Sequence, residues 1–300
     1  MLRNITRIQT GQDPHFARKT IIVREAVVSC RLSVAGADSG SNQRLQSRQA
    51  HSPQRSSRKP LFYSGRMGKG APLRWLENRL LARHLRGRGI EIGALWRKFP
   101  VPRAAKVYYV DRLPNEDLRQ HYAEVSTPVV NPDVVADAMQ LPFAPRSLDF
   151  VIASHVMEHL PFPLVALRHW YDVLRPRGIL LLKIPDKRYT FDAKRARTTL
   201  QHLIAEDEDY SAFDKRAHFE DWVEHVVGCR RATPEFDQQL THLLQSDYSI
   251  HYHVWIDEDI REIVEYTRNV MRLNWKPVVF WKAHVYRKEC VLMLQRTEAD

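Results

Sequence analysis

Between residues 90 and 184 the chain repeats a pattern that few folds accept: short, almost unbroken apolar runs alternate with polar, turn-rich or helical stretches. The runs are IEIG (90–93), KVYYVD (106–111), VVAD (134–137), LDFVIAS (148–154) and GILLLKI (178–184). A strand that is apolar on both faces has to be covered on both, and strands joined by crossovers run parallel. The expected core is therefore a mostly parallel α/β sheet, with helices near 114–122 and 164–174 packed on it. A helix near 257–272 follows, then two runs, PVVFWKAH (277–284) and CVLMLQR (290–296), whose short connection makes them an antiparallel terminal pair. Ahead of the first strand, Leu73, Leu76, Leu80, Leu81 and Leu85 predict the buried face of a short amphipathic helix ending near Gly87.

The formal net charge of +11 suggests a polyanion partner until it is located. Residues 1–60 hold 11 Lys/Arg against 3 Asp/Glu, so the other 240 residues carry 35 against 32. The surplus belongs to the N-terminal stretch, and nucleic acid is not an expected partner of the folded part. Residues 1–66 are expected to be a disordered basic tail, rich in Arg, Ser, Gln and Gly. Three readings of it compete: a transit peptide, a regulatory tail, or non-native translation upstream of Met67. Residues 67–300 then form one domain. Cys30, Cys229 and Cys290 are few, far apart and in no C-x-x-C pair, which suits a reduced, cytoplasmic protein. No apolar run has the roughly 20 residues that a membrane-spanning helix needs.

Open α/β sheets bind ligands beyond the carboxyl ends of their strands. Those ends carry Glu91-Ile92-Gly93-Ala94, Asp111, Asp137, Ser154-His155 and Pro185-Asp186. Each aspartate alone reads as a turn former or helix cap; together they suit recognition of an adenosyl group. Gly93 admits a ligand close to the backbone. Asp111 is placed to accept from two ribose hydroxyls, Asp137 to accept from an adenine amino group, and the Ala138 N–H to donate to a ring nitrogen.

The run VADAMQLPFAPRSLDFVIASHVMEHLPFPLVALRHWYDVLRPRGILLL resembles the ubiquinone-biosynthesis-like (type 11) family of class I methyltransferases. The family elements D-A-x-x-L-P-F, S-x-D-x-V, H-x-x-E-H/L and V-L-x-P-x-G-x-L stand here as Asp137–Phe143, Ser147–Val151, His155–Leu160 and Val173–Leu180. The resemblance covers residues 88–185 well and the rest loosely. It implies an α/β, Rossmann-like class I methyltransferase sheet with an antiparallel last strand, and S-adenosyl-L-methionine as cofactor. It also implies a donor pocket lined by Glu91, Gly93, Asp111, Asp137 and Ala138, with Ser154 and His155 beside the methionine moiety. Ala94 and Arg112 are adjoining candidates. The acceptor is expected to be a small molecule or a glycan precursor.

The family's glycine-rich turn is reduced here to Glu91-Ile-Gly93-Ala-Leu-Trp-Arg97, and Pro100 and Pro102 leave little room for the usual first helix. That departure argues against a nicotinamide enzyme more than against a methyltransferase; Gly87-Arg-Gly89 precedes the strand and is no dinucleotide fingerprint. His155-Val-Met-Glu158-His159 also matches H-x-x-E-H, so a zinc hydrolase with both histidines on one helical face is an alternative. The blander reading, a strand-tip His155 and a packing His159, is preferred, and no metal is expected. A third reading is a donor-binding protein without turnover. Residues 186–255 read as a helical insertion acting as substrate lid, with His253, His251 and Asp186 the leading candidates for a general base or, equally, packing residues of the insertion.

Overall fold

The computed structural model describes residues 71–122 and 127–298; the expectations about residues 1–66 lie outside them. Among the described residues seven strands form one sheet: β1 (Arg88–Ile92), β2 (Lys106–Asp111), β3 (Val134–Val135), β4 (Leu148–Ser154), β5 (Leu174–Pro185), β6 (Trp275–Trp281) and β7 (Glu289–Arg296). Their order is β3-β2-β1-β4-β5-β7-β6. β1 to β5 are mutually parallel, while β7 runs antiparallel to both β5 and β6. Chain order reverses between β1 and β4, which is where an open sheet of this kind leaves a crevice at its carboxyl edge.

Side-chain alternation divides the core between the two faces. On one, Ile90, Ile92, Val151, Ala153, Leu180, Leu182, Leu292 and Leu294 pack against α3 (Pro163–Val173), α4 (Leu200–Glu208) and α7 (Asp257–Asn269). Trp170 of α3 is fully buried there, and its Nε1–H donates to the Ala138 carbonyl at 2.8 Å. On the other, Phe150, Ile152, Ile179, Leu181, Val291 and Met293 are covered by the end of α1 (Ala71–Ala82), by Leu85 and by the loop that carries Phe99 and Val101. No helix stands between β1 and β2, as the two prolines predict. The loop takes its place.

α1 differs from expectation. Leu81 and Leu85 are buried, but Leu73, Leu76 and Leu80 are exposed, together with Trp75. The helix meets the sheet only through its last turn, so spacing alone extends the buried face too far. β5 begins earlier than expected because residues 174–178 continue from α3 as an irregular stretch; regular pairing with β4 starts at Phe150–Ile179. The insertion is helical: α4, α5 (Lys215–Trp222) continuing into a π-helical turn (Val223–Val227), and α6 (Pro234–Gln245). Phe219, Trp222, Val223, Phe236, Leu240, Leu243 and Ile250 give it a core of its own.

Candidate active site

The strand ends converge as the order predicts. Asp111 is in register with Val135, and the Ala136 N–H donates to the Asp111 carbonyl at 2.9 Å, so Asp111 and Asp137 leave adjacent strands at one edge. The Gly93 N–H donates to the Val110 carbonyl at 2.9 Å. Gly93 adopts a left-handed φ of 64°, and a Cβ there would approach Val156 Cγ2 to 3.1 Å. Both facts favour glycine at the turn. Burial raises the pKa of Asp111, against which the N–H groups of Arg112 and Leu113 and the Arg112 charge all act. Its Oδ1 takes the Arg112 N–H at 2.8 Å. A carboxylate offers about four lone-pair sites, so backbone donors leave capacity for two hydroxyls. Asp137 is exposed and folds an Asx turn in which the Met139 N–H donates to its Oδ1 at 2.8 Å. Ala138 behind it is buried and fixed by Trp170.

Glu91 and Ala94 take different places. Ala94 is buried at the start of the loop. Glu91 points to the α1 face, where the Phe99 N–H donates to its two oxygens at 2.8 and 3.0 Å. Burial pushes its pKa up to about 7, although the Phe99 N–H and the Lys98 charge pull it down. Its visible task is to anchor the loop that replaces a helix. The sign of the linkage follows. Folded Glu91 keeps a proton that the unfolded chain gives up near 4.5, so stability falls as pH rises from about 4.5 to 7, by roughly 3 kcal/mol at about 1.4 per unit. Glu91→Gln should retain the fold and flatten that fall, read by urea unfolding at pH 5 to 8. Equal slopes in both proteins would remove this account.

His155 follows β4 in a left-handed conformation, φ 56°, unusual for a residue with a Cβ. Its Nε2 lies 2.6 Å from Glu289 Oε2 and its Nδ1 3.5 Å from Glu158 Oε1, while 46% of its side chain is open. Desolvation opposes the charged ring, but the two carboxylates outweigh it and raise the pKa well above the usual histidine value. Glu289 also accepts from Lys183 Nζ at 2.8 Å. Glu289 and Lys183 were missed from sequence. The signal was present: an antiparallel strand starts at the edge where parallel strands end, so the first residue of β7, paired with Pro185, had to arrive there.

The zinc-hydrolase geometry does not form. Met157–His159 is a single 3-10 turn, so His155 and His159 share no helical face. His155 turns to Glu289, and His159 Nδ1 meets the Ile250 carbonyl at 2.8 Å.

The insertion reaches both sides of this edge. Its turn at Asp247 accepts from Arg112 Nη1 at 3.2 Å and Lys215 Nζ at 2.6 Å, and Tyr248 stacks on His121 at the end of α2 (Asn115–His121), the helix that follows β2. Its return segment donates from the Tyr252 and His253 N–H groups to the Glu158 carbonyl at 2.8 and 3.3 Å, beyond β4. The three expected base candidates, however, are shut inside: His253 is 0%, His251 6% and Asp186 1% exposed. Burial and the charge of His218 push the His253 pKa down to about 3. His251 Nδ1 is held by Asp192 at 2.8 Å. Asp186 binds Arg188, which also pairs with Asp257. A base must reach the proton it removes. In this conformation none of the three faces an open cleft: they pack beneath the insertion, the second of the two roles expected of them, and not in the position of a general base.

Residues 86–182, about a third of the chain, match the family described as "Methyltransferase domain". No curated protein matches. Among solved structures, one from Rhodobacter sphaeroides, described as a Zn-dependent alcohol dehydrogenase, is 15% identical with a TM-score of 0.47, over 74% of this chain and 90% of that one. A SAM-dependent methyltransferase from Methanosarcina mazei is 14% identical with a TM-score of 0.41, over 73% and 98%. The N-methyltransferase NodS from Bradyrhizobium japonicum, in complex with S-adenosyl-L-homocysteine, is 13% identical with a TM-score of 0.40, over 77% and 89%. The match to the methyltransferase domain family lies on the parallel strands β1 to β5, whose carboxyl edge carries Gly93, Asp111 and Asp137.

Proposed function

We propose that the chain transfers a methyl group from S-adenosyl-L-methionine to a small-molecule acceptor, glycan precursors included, in a cleft between the carboxyl edge of the sheet and the insertion. The observation that carries this reading is the placement of Asp111, Asp137 and Gly93 on one strand edge, with the insertion latched above it through Arg112 and Asp247. In it Asp111 accepts from the ribose hydroxyls, Asp137 from the adenine amino group, and the Ala138 N–H donates to the ring. Gly93 and Ala94 admit the donor to the backbone, and Ser154 and His155 flank its amino-acid end. The sulfonium carries its methyl already activated, so the protein's main task is alignment, which contributes up to about 7–11 kcal/mol when reactants are well oriented. Glu91 acts through the loop it anchors.

The burial of His253, His251 and Asp186 favours a second reading, donor binding without turnover. Incubation with donor labelled in the methyl group and host extract separates the two. Label in a discrete small product supports transfer; calorimetric binding with no labelled product supports the second reading; failure to bind S-adenosylmethionine or S-adenosylhomocysteine removes both.

A further inference from the structure

We propose that Glu158, His159 and His251 form a binding site for one divalent transition-metal ion of the zinc class, pinning the insertion to the end of β4. The site goes beyond methyl transfer and reverses the expectation from sequence that no metal binds.

Its first support is convergence. One ligand atom from each of the three residues lies within 4.8 Å of the others, two contributed by the turn after β4 and one by the returning insertion. The second is an under-satisfied carboxylate. Glu158 is 0% exposed, and neither of its buried oxygens has a hydrogen-bond partner among the described residues; His155 Nδ1, 3.5 Å from Oε1, gives it one long ion pair. Buried carboxylates are ordinarily paired, hydrogen-bonded or metal-bound. A cation between the imidazoles and Glu158 supplies what the protein does not.

The third support is the outer shell. His159 Nδ1 lies 2.8 Å from the Ile250 carbonyl, which only accepts, so that nitrogen carries the proton. His251 Nδ1 lies 2.8 Å from Asp192 Oδ2, and Asp192 is itself held by Arg195 at 3.0 Å and Thr190 Oγ1 at 3.1 Å. Both rings therefore keep a lone pair on Nε2. Metal-binding histidines almost always donate their other N–H to a carbonyl or carboxylate in this manner. Two imidazoles and one carboxylate suit zinc-type ions; calcium and magnesium favour all-oxygen shells. Water or the second Glu158 oxygen completes the coordination. A neighbouring group, His202–Glu206–His218, serves as the contrast. There Glu206 Oε1 already takes both imidazoles, at 3.0 and 3.2 Å.

The full chain, stripped with a chelator, is titrated with Zn2+ and, for a visible spectrum, with Co2+. One equivalent per chain is expected, with a cobalt band characteristic of mixed nitrogen and oxygen ligands and a chelator-reversible rise in Tm. His251→Gln and Glu158→Gln should each weaken zinc binding by about 100-fold or more, beyond the 10–100-fold typical of losing an outer-shell partner, whereas His202→Ala should leave it unchanged. Absence of stoichiometric uptake by the wild-type chain overturns the proposal. So does loss of uptake in His202→Ala with retention in His251→Gln. If the glutamine variants do not fold, the wild-type chain and His202→Ala decide: one equivalent retained in both supports the site, and loss in either refutes it.

Discussion

Asp111→Ala is expected to weaken S-adenosylmethionine binding by about two to four orders of magnitude. A hydrogen bond to a charged group contributes roughly 1.5–3 kcal/mol, and two ribose hydroxyls therefore account for about 3–6, at about 1.4 per tenfold in Kd. The variant also frees the Arg112 N–H that Oδ1 engages, which loosens the residue whose guanidinium meets Asp247. Asp111→Asn keeps the shape and an acceptor oxygen, so its loss should be intermediate. Calorimetric titration with S-adenosylmethionine and S-adenosylhomocysteine reads both. An unaltered Kd in the alanine variant would place the nucleoside elsewhere.

Trp170→Ala should lower the unfolding free energy by about 3–5 kcal/mol, the usual range for emptying a buried aromatic site. The indole is fully buried on the α3 face of the sheet, and it holds the Ala138 carbonyl through Nε1. Two consequences can be separated. Trp170→Phe fills most of the volume but leaves that buried carbonyl without its donor, at a cost of about 1–3 kcal/mol. Denaturant unfolding of both variants gives the packing and hydrogen-bond contributions. If the adenine contact at Ala138 is correct, Trp170→Phe also weakens donor binding more than its stability loss explains. A Phe variant as stable as wild type would show that the Ala138 bond has no consequence for the fold.

The sheet was legible because its signal is redundant. LDFVIAS and GILLLKI carry apolar residues on both alternating faces, interrupted only by Asp149, Ser154 and Lys183, so burial on both faces could be read without knowing the partners. β3 was the weakest case: only Val134 and Val135 pair, the minimum that brings Asp137 beside Asp111. The missing helix after β1 was readable from Pro100 and Pro102, but its substitute was not, because nothing in Glu91 announces that its carboxylate turns back to Phe99. Helical spacing misled at α1, where it extended the buried face to Leu73, Leu76 and Leu80; the 3-10 turn at Met157–His159 agrees with the preferred strand-tip His155 and packing His159. The histidines of the insertion show the limit most clearly. Alternation puts His251 and His253 on one side of an extended segment, yet His251 meets Asp192 and His253 meets Glu206, neighbours folded in from far along the chain.

The antiparallel last strand also has a consequence for how the protein is made. β5 is complete at Pro185, yet its free edge is closed only when Glu289–Arg296 arrive about a hundred residues later. During synthesis Leu180 and Leu182 therefore sit on an unpaired edge, the arrangement that recruits other chains into aggregates. Chains released before β7 emerges should be insoluble rather than merely inactive, and Lys183 and His155 would lack the carboxylate they share.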